Sequence, residues 1–170
     1  PQSGRMPDEL VSGGTPELHV IGAGNFVRTM LLPHLKGKIA LGTVVNATGL
    51  SARHVKEQFG FAKAATDSAN LFPGTGGAPA LPSALLIGTR HHLHAPLVLA
   101  GLRANKHVFV EKPLCLTRDD LGEIDAEMAS TQGSVMIGFN RRFAPATVEL
   151  KKVLAAGNIV TIEPGLYLPD

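Results

Sequence analysis

The stretch ELHVIGAGNF, residues 17–26, constrains the fold more than any other part of the chain. Its apolar run from Leu18 to Ile21 passes straight into a glycine turn, and helical spacing begins beyond it. A short apolar run without polar alternation reads as a strand covered on both faces, the habit of parallel sheets whose crossovers are helices. The pattern recurs at Thr43 to Asn46, Ala84 to Ile87 and His107 to Val110, and again in SVMIGF, which leads to Asn140.

Helical signals fill the gaps. After Gly24, apolar residues fall at Phe26, Met30 and Leu31 on helical spacing, and Pro33 disturbs the last turn. A second helix is predicted from Ser51 as N-cap to Gly60 as terminator. A third lies in APLVLAGLRANK, with Pro96 in a first turn where a missing N–H costs little. A fourth follows a capping box of Thr117 and Asp120, with Leu121, Ile124 and Met128 on one face. Ser68 to Ser83, dense in Gly and Pro, reads as a mobile loop. The alternation predicts an α/β protein: a doubly wound, mainly parallel sheet in three α/β/α layers with right-handed crossovers.

A chain of 170 residues supports one domain with a proper core but is short for a complete two-domain enzyme. Residues 1–17 read as a linker or frayed terminus, 18–157 as the domain, and 158–170 as a tail; a domain cut from a longer protein is expected. The formal charge of +2 is dispersed, with no basic run interleaved with aromatics, which speaks against nucleic acid and acidic membrane surfaces as partners. Cys115 is the only cysteine, so no internal disulfide forms and a reducing, cytoplasmic setting is expected, with the thiol structural. No signal peptide and no apolar stretch of about 18 residues is present.

Gly22, Gly24 and Val27 occupy the three positions of a G-x-G-x-x-G/A fingerprint between a strand and a helix. The first glycine permits the tight turn, the second lets a pyrophosphate approach the backbone, and the helix start offers free N–H groups to an anion. Val27 is bulkier than the pattern asks, so helix and strand are expected to sit further apart or the helix to tilt. A plain strand-to-helix glycine turn is the alternative. The acid that holds the ribose hydroxyls in an NAD site has no counterpart in VVNATGLSAR. Asn46 and Thr48 are the hydrogen-bonding candidates there, and Arg53 is placed to meet a 2′-phosphate or simply solvent, so NAD and NADP both stay open.

TRHHLHAP crowds His91, His92 and His94 beside Thr89 and Arg90 at the end of the Ala84 strand. No Asp, Glu or Cys completes a zinc set, so no metal is assigned; Thr89, Arg90 and the turn after them read as one wall of a crevice that His94 caps or faces. Glu111 and Lys112 stand where the HVFV strand leaves the sheet, expected beside the glycine loop. A lysine there polarises a carbonyl or relays an alcohol proton, tuned by the neighbouring carboxylate; an exposed strand-end ion pair is the ordinary alternative. Pro113 is a candidate for a cis bond.

VIGAGNF, LIGTRHHLHAPLVLAGLRANKHVFVEKPL and VMIGFNRRFAP together resemble the glucose-fructose oxidoreductase, inositol dehydrogenase and rhizopine catabolism family, and most the branch fused behind a zinc-type alcohol dehydrogenase domain. The resemblance implies a Rossmann domain binding NAD or NADP, with Gly22, Gly24, Asn25 and Phe26 at the pyrophosphate and Thr89, His94 and Glu111 along the nicotinamide half. It makes Lys112 the active-site lysine, with Asn140 and Arg142 closing the crevice. It further implies a second domain holding a small-molecule substrate, which this chain lacks. The chain departs from the family at the Ser68 to Ser83 loop, at the missing acid and in the tail GNIVTIEPGLYLPD. That tail resembles a strand of the aminopeptidase P and creatinase metallopeptidases, in which a glutamate like Glu163 ligates a metal, but the partner ligands have no counterparts here. The expected function is the NAD(P)-binding part of an oxidoreductase acting on a hydroxyl or carbonyl substrate such as a sugar or cyclitol derivative. A non-catalytic dinucleotide-sensing module is the alternative, and an exposed docking face makes a homo-oligomer possible.

Overall fold

The computed structural model describes residues 16–72, 83–140, 144, 145, 147–149 and 151. The linker at the start, most of the Gly/Pro loop, Arg142 and the tail with Glu163 therefore lie outside the described residues. The chain forms two compact units, Pro1–Gly138 and Phe139–Asp170. In the second, the Val148 N–H donates to the Ala144 carbonyl at 2.9 Å, a helical turn.

The first unit is built on six parallel strands: β1 Glu17–Ile21, β2 Ala40–Val45, β3 Lys63–Ala65, β4 Ala84–Ile87, β5 His107–Val110 and β6 Ser134–Ile137. Their order across the sheet is β3-β2-β1-β4-β5-β6, all parallel, which is doubly wound and reverses between β1 and β4. One core gathers Val20, Val27, Leu32, Val44, Val55 and Phe59 on one face. The other gathers Leu85, Val98, Leu102, Val108, Val110 and Ile124 on the opposite face, so helices cover both.

Three helical details depart from the sequence reading. The first helix opens as a π-helical segment, Val27–Leu31, in which the Leu32 N–H reaches back to the Val27 carbonyl, and continues as α1, Leu32–Leu35. The wider turn fits Pro33, whose ring and missing N–H disfavour regular α geometry just ahead of it. It also moves the buried stripe: Val27 and Leu32 are buried, whereas Phe26 and Met30 are exposed. Second, α2, Gly49–Phe59, is capped by Thr48, whose Oγ1 accepts the Ser51 N–H at 3.3 Å; Ser51 lies inside the helix. Gly60 ends it at φ +85°, as expected.

Third, α3, His94–Arg103, and α4, Arg118–Ser130, pack on each other. Thr117 caps α4 by accepting the Asp120 N–H at 3.0 Å. Of the expected apolar face only Ile124 is buried, at 1% exposure, against 47% for Leu121 and 43% for Met128. A helix lying beside its neighbour at the sheet margin covers a stripe only one residue wide. β3 escaped the sequence reading because KAA, an exposed edge strand, has neither an apolar run nor alternation.

Candidate functional site

The carboxyl ends of five strands are level. Val45 pairs with Ile21, Ile21 with Ile87, Ile87 with Val110, and Val110 with Ile137. The ladder continues one residue further, because Gly22 N–H donates to Val45, Asn46 N–H to Ala65, Gly88 N–H to Ile21, Glu111 N–H to Ile87, and Gly138 N–H to Val110, all at 2.8–3.2 Å. Gly22, Asn46, Gly88, Glu111 and Gly138 thus form one row at the edge where α/β sheets hold ligands. The sheet itself fixes their backbone positions.

Gly22 has φ +84°, and a Cβ there would stand 2.7 Å from Thr89 Cγ2 and 2.8 Å from the backbone of Gly88 and Thr89. The glycine turn is therefore pressed against the turn after β4. Gly24 is the opposite case: it is exposed, and a Cβ there meets nothing within 4 Å. The first intrahelical bond runs from the Arg28 N–H to the Gly24 carbonyl, leaving the amides of Asn25, Phe26 and Val27 ahead of it at the helix start. Open space over a glycine beside such amides suits a pyrophosphate, so the cradle fits a dinucleotide.

Val27 is accommodated by a glycine outside its own loop. Its Cγ2 fills the space where a Gly88 Cβ would be, so the glycine relief comes from the neighbouring strand. Gly88→Ala is expected to cost about 1–3 kcal/mol by overpacking. Adding Val27→Ala should recover part of that loss, because the two side chains compete for one space. Chemical denaturation of the two single variants and the double measures the coupling; strictly additive losses would contradict the shared packing.

Asn46 is buried and faces inward: its Oδ1 accepts the Ala23 N–H at 2.8 Å and its Nδ2 donates to Ser51 Oγ at 2.9 Å. The residue at the expected ribose position thus ties the glycine loop to α2. Thr48 is spent on its cap, and Arg53 is exposed.

At the other half of the row, β4 stands between β1 and β5, so Glu111 and Lys112 lie two strands from the glycine loop rather than beside it. Lys112 is exposed and Glu111 half-buried, and the Lys112–Pro113 bond is cis. Burial pushes the Glu111 carboxyl up; the Lys112 backbone N–H and the positive influence of His94 pull it back down. Its Oε1 lies over Gly138, 2.8 Å from where a Cβ there would be, and has no hydrogen-bond partner among the described residues. The carboxylate therefore meets the lysine's backbone, and no Glu111–Lys112 ion pair forms among the described residues.

His94 does not face the crevice. It is 0% exposed, with Nδ1 2.5 Å from the Pro113 carbonyl oxygen and Nε2 3.1 Å from that of Thr89. His91 and His92 are exposed, the His91 ring lying edge-on to His94 at 5.7 Å between centroids. Among the described residues no group of three or more His, Cys, Asp or Glu is placed to hold a metal. Half-buried Cys115 has its thiol pushed up by burial and then by Asp120, the reverse of what a thiolate nucleophile needs. Thr89 is half-buried and Arg90 exposed on the turn after β4, while Asn140 is exposed in the second unit.

A parallel sheet in this order, with an open glycine cradle at its switch point, defines a dinucleotide-binding domain. The chain belongs to the Gfo/Idh/MocA oxidoreductase family, NAD-binding Rossmann fold, whose profile matches residues 17–139. It is 40% identical over 76 residues to the inositol 2-dehydrogenase of Salmonella typhimurium, covering 44% of this chain and 23% of that protein. It is 34% identical over 107 residues to the myo-inositol 2-dehydrogenase of Thermotoga maritima, covering 63% and 30%. A probable dehydrogenase from Thermotoga maritima superposes with a TM-score of 0.70 at 31% identity, over 84% of this chain and 42% of that one. KijD10, a 3-ketoreductase from Actinomadura kijaniata solved with NADP, shares the fold at a TM-score of 0.71 and 22% identity, over 86% and 45%. The chain spans less than half the length of each of these proteins. Residues 17–139 are the family's NAD-binding Rossmann domain, and no described helix is long and apolar enough to cross a membrane.

Proposed function

We propose that this domain serves an enzyme transferring a hydride between nicotinamide and a hydroxyl or carbonyl carbon of a sugar or cyclitol. The observation that carries the reading is the level row at the carboxyl edge, with an open Gly24 cradle after β1 and Lys112 exposed after β5. Gly22, Gly24, Asn25 and Phe26 hold the pyrophosphate; Thr89, Arg90 and Glu111 line the nicotinamide half; Asn46 and His94 act from behind by holding loops. Asn140 and Arg142 belong to the same proposal as cofactor-binding residues.

Bound nicotinamide supplies or accepts the hydride. The chain's part is electrostatic. As an ammonium, Lys112 donates a hydrogen bond to the substrate oxygen and hands it a proton as a carbonyl is reduced; in the reverse direction its neutral amine takes up the proton of the alcohol being oxidised. The substrate pocket is assigned to a further domain, the TRH turn supports a place in the branch fused to a zinc-type alcohol dehydrogenase domain, and the lone Cys115 fits a cytoplasmic setting. The test is the full-length protein with NAD and NADP against a panel of cyclitols and sugars, following nicotinamide reduction. Turnover with a member of the panel is expected. Tight cofactor binding with no hydride transfer to any polyol would overturn the enzymatic reading in favour of a redox-sensing module.

A further inference from the structure

The turn after β4 and the segment after β5 bracket the nicotinamide half of the site, and neither is a regular element. Between them stands one fully buried polar side chain. His94 is the first residue of α3, and its ring nitrogens meet two backbone carbonyls from different loops, Pro113 at 2.5 Å and Thr89 at 3.1 Å. A carbonyl only accepts hydrogen bonds, so each needs an N–H from the ring. One tautomer of neutral imidazole serves one carbonyl and turns a lone pair on the other; a ring with hydrogen on both nitrogens serves both.

We propose that His94 is the positioning residue of the nicotinamide half, a buried clamp that ties the Thr89 turn to the Lys112–Pro113 segment, beyond the last ladder bond at Glu111, and so sets where Lys112 stands. This rests on the cofactor reading above. The clamp meets the glycine cradle only through the Thr89 turn, which packs against Gly22. The cradle has supports of its own in the ladder bonds of Gly22 and in Asn46 on the Ala23 N–H. Loosening His94 should therefore weaken recognition of nicotinamide and spare recognition of the ADP-ribose portion, a split that general destabilisation does not produce.

The experiment titrates the 170-residue chain with NADH, NADPH and ADP-ribose, as wild type, His94→Gln and His94→Phe. Gln keeps one donor end, and Phe keeps the ring volume without donors. Expected is an affinity loss of about tenfold or more for the reduced dinucleotide with His94→Phe, less with His94→Gln, and ADP-ribose affinity within about twofold of wild type. Equal losses for dinucleotide and ADP-ribose, or no loss for either, would overturn the clamp. Ring-labelled histidine NMR of the wild type covers variants that fail to fold: hydrogen-bonded protons on both His94 nitrogens support the clamp, and a bare nitrogen overturns it. A wild type that binds neither NADH nor NADPH overturns the cofactor reading instead, while the NMR result still decides whether the ring bridges the two loops.

Discussion

Lys112→Ala in the full-length enzyme is expected to lower kcat by about a hundred- to ten-thousandfold while the dissociation constant for the dinucleotide stays within about twofold. The separation follows from geometry. Lys112 stands two strands from β1, whose end carries the cofactor's cradle, and its side chain is exposed, so truncation removes a donor to the reacting oxygen and little else. Stability should change by no more than about 0.5 kcal/mol. A steady-state assay beside a direct binding measurement reads both quantities. Undiminished turnover would remove Lys112 from the chemistry, and a parallel collapse of cofactor affinity would make it a binding residue.

Gly22→Ala should act through the fold. At φ +84° an L-residue pays about 1–2 kcal/mol, and the added methyl would lie 2.7–2.8 Å from Thr89 Cγ2, the Gly88 carbonyl carbon and the Thr89 nitrogen. Two of those three atoms are backbone in a sheet ladder and have little room to retreat. A combined loss of about 2–5 kcal/mol is expected, lowering the melting temperature by about 10 °C. Dinucleotide binding should fall with it, because the Gly22 carbonyl that holds the Gly24 N–H at 2.8 Å belongs to the same turn. Gly24→Ala is the natural comparison: its methyl meets nothing in the protein, so it should fold normally and lose affinity alone. A Gly22→Ala protein that melts like wild type would contradict the close approach of the two turns.

Much of this architecture is legible in the sequence because it depends on short-range pattern. HVFV and ALLI read as strands, and they are β5 and β4 residue for residue, although His107 is exposed and Phe109 only half-buried, so β5 is not covered on both faces. GAGNF reads as a strand-to-helix turn, and Thr117 reads as a cap. What escaped depends on pairing across strands. The relief of Val27 by Gly88 appears only once the level ends of β1 and β4 bring the two together. The inward amide of Asn46 depends on where α2 starts, and its true cap, Thr48, stands three residues ahead of the residue that spacing suggested. The exposed Leu121 and Met128 reflect the margin of the sheet, which no helical pattern reveals. His94 read as a crevice residue because TRHHLHAP follows the Ala84 strand at the carboxyl edge of the sheet; only the fold shows that α3 begins by turning that ring inward, onto the carbonyls of two different loops.

The central claim is that the glycine cradle of this chain holds a nicotinamide dinucleotide, and calorimetric titration of the 170-residue protein with NADH and, separately, NADPH tests it most directly. The expected result is saturable one-to-one binding of at least one of them with a dissociation constant on the order of micromolar. Preference for NADPH would give Arg53 its 2′-phosphate, and preference for NADH would leave it on a solvated helix face. Absence of saturable binding for both, in protein that melts cooperatively, would contradict the account.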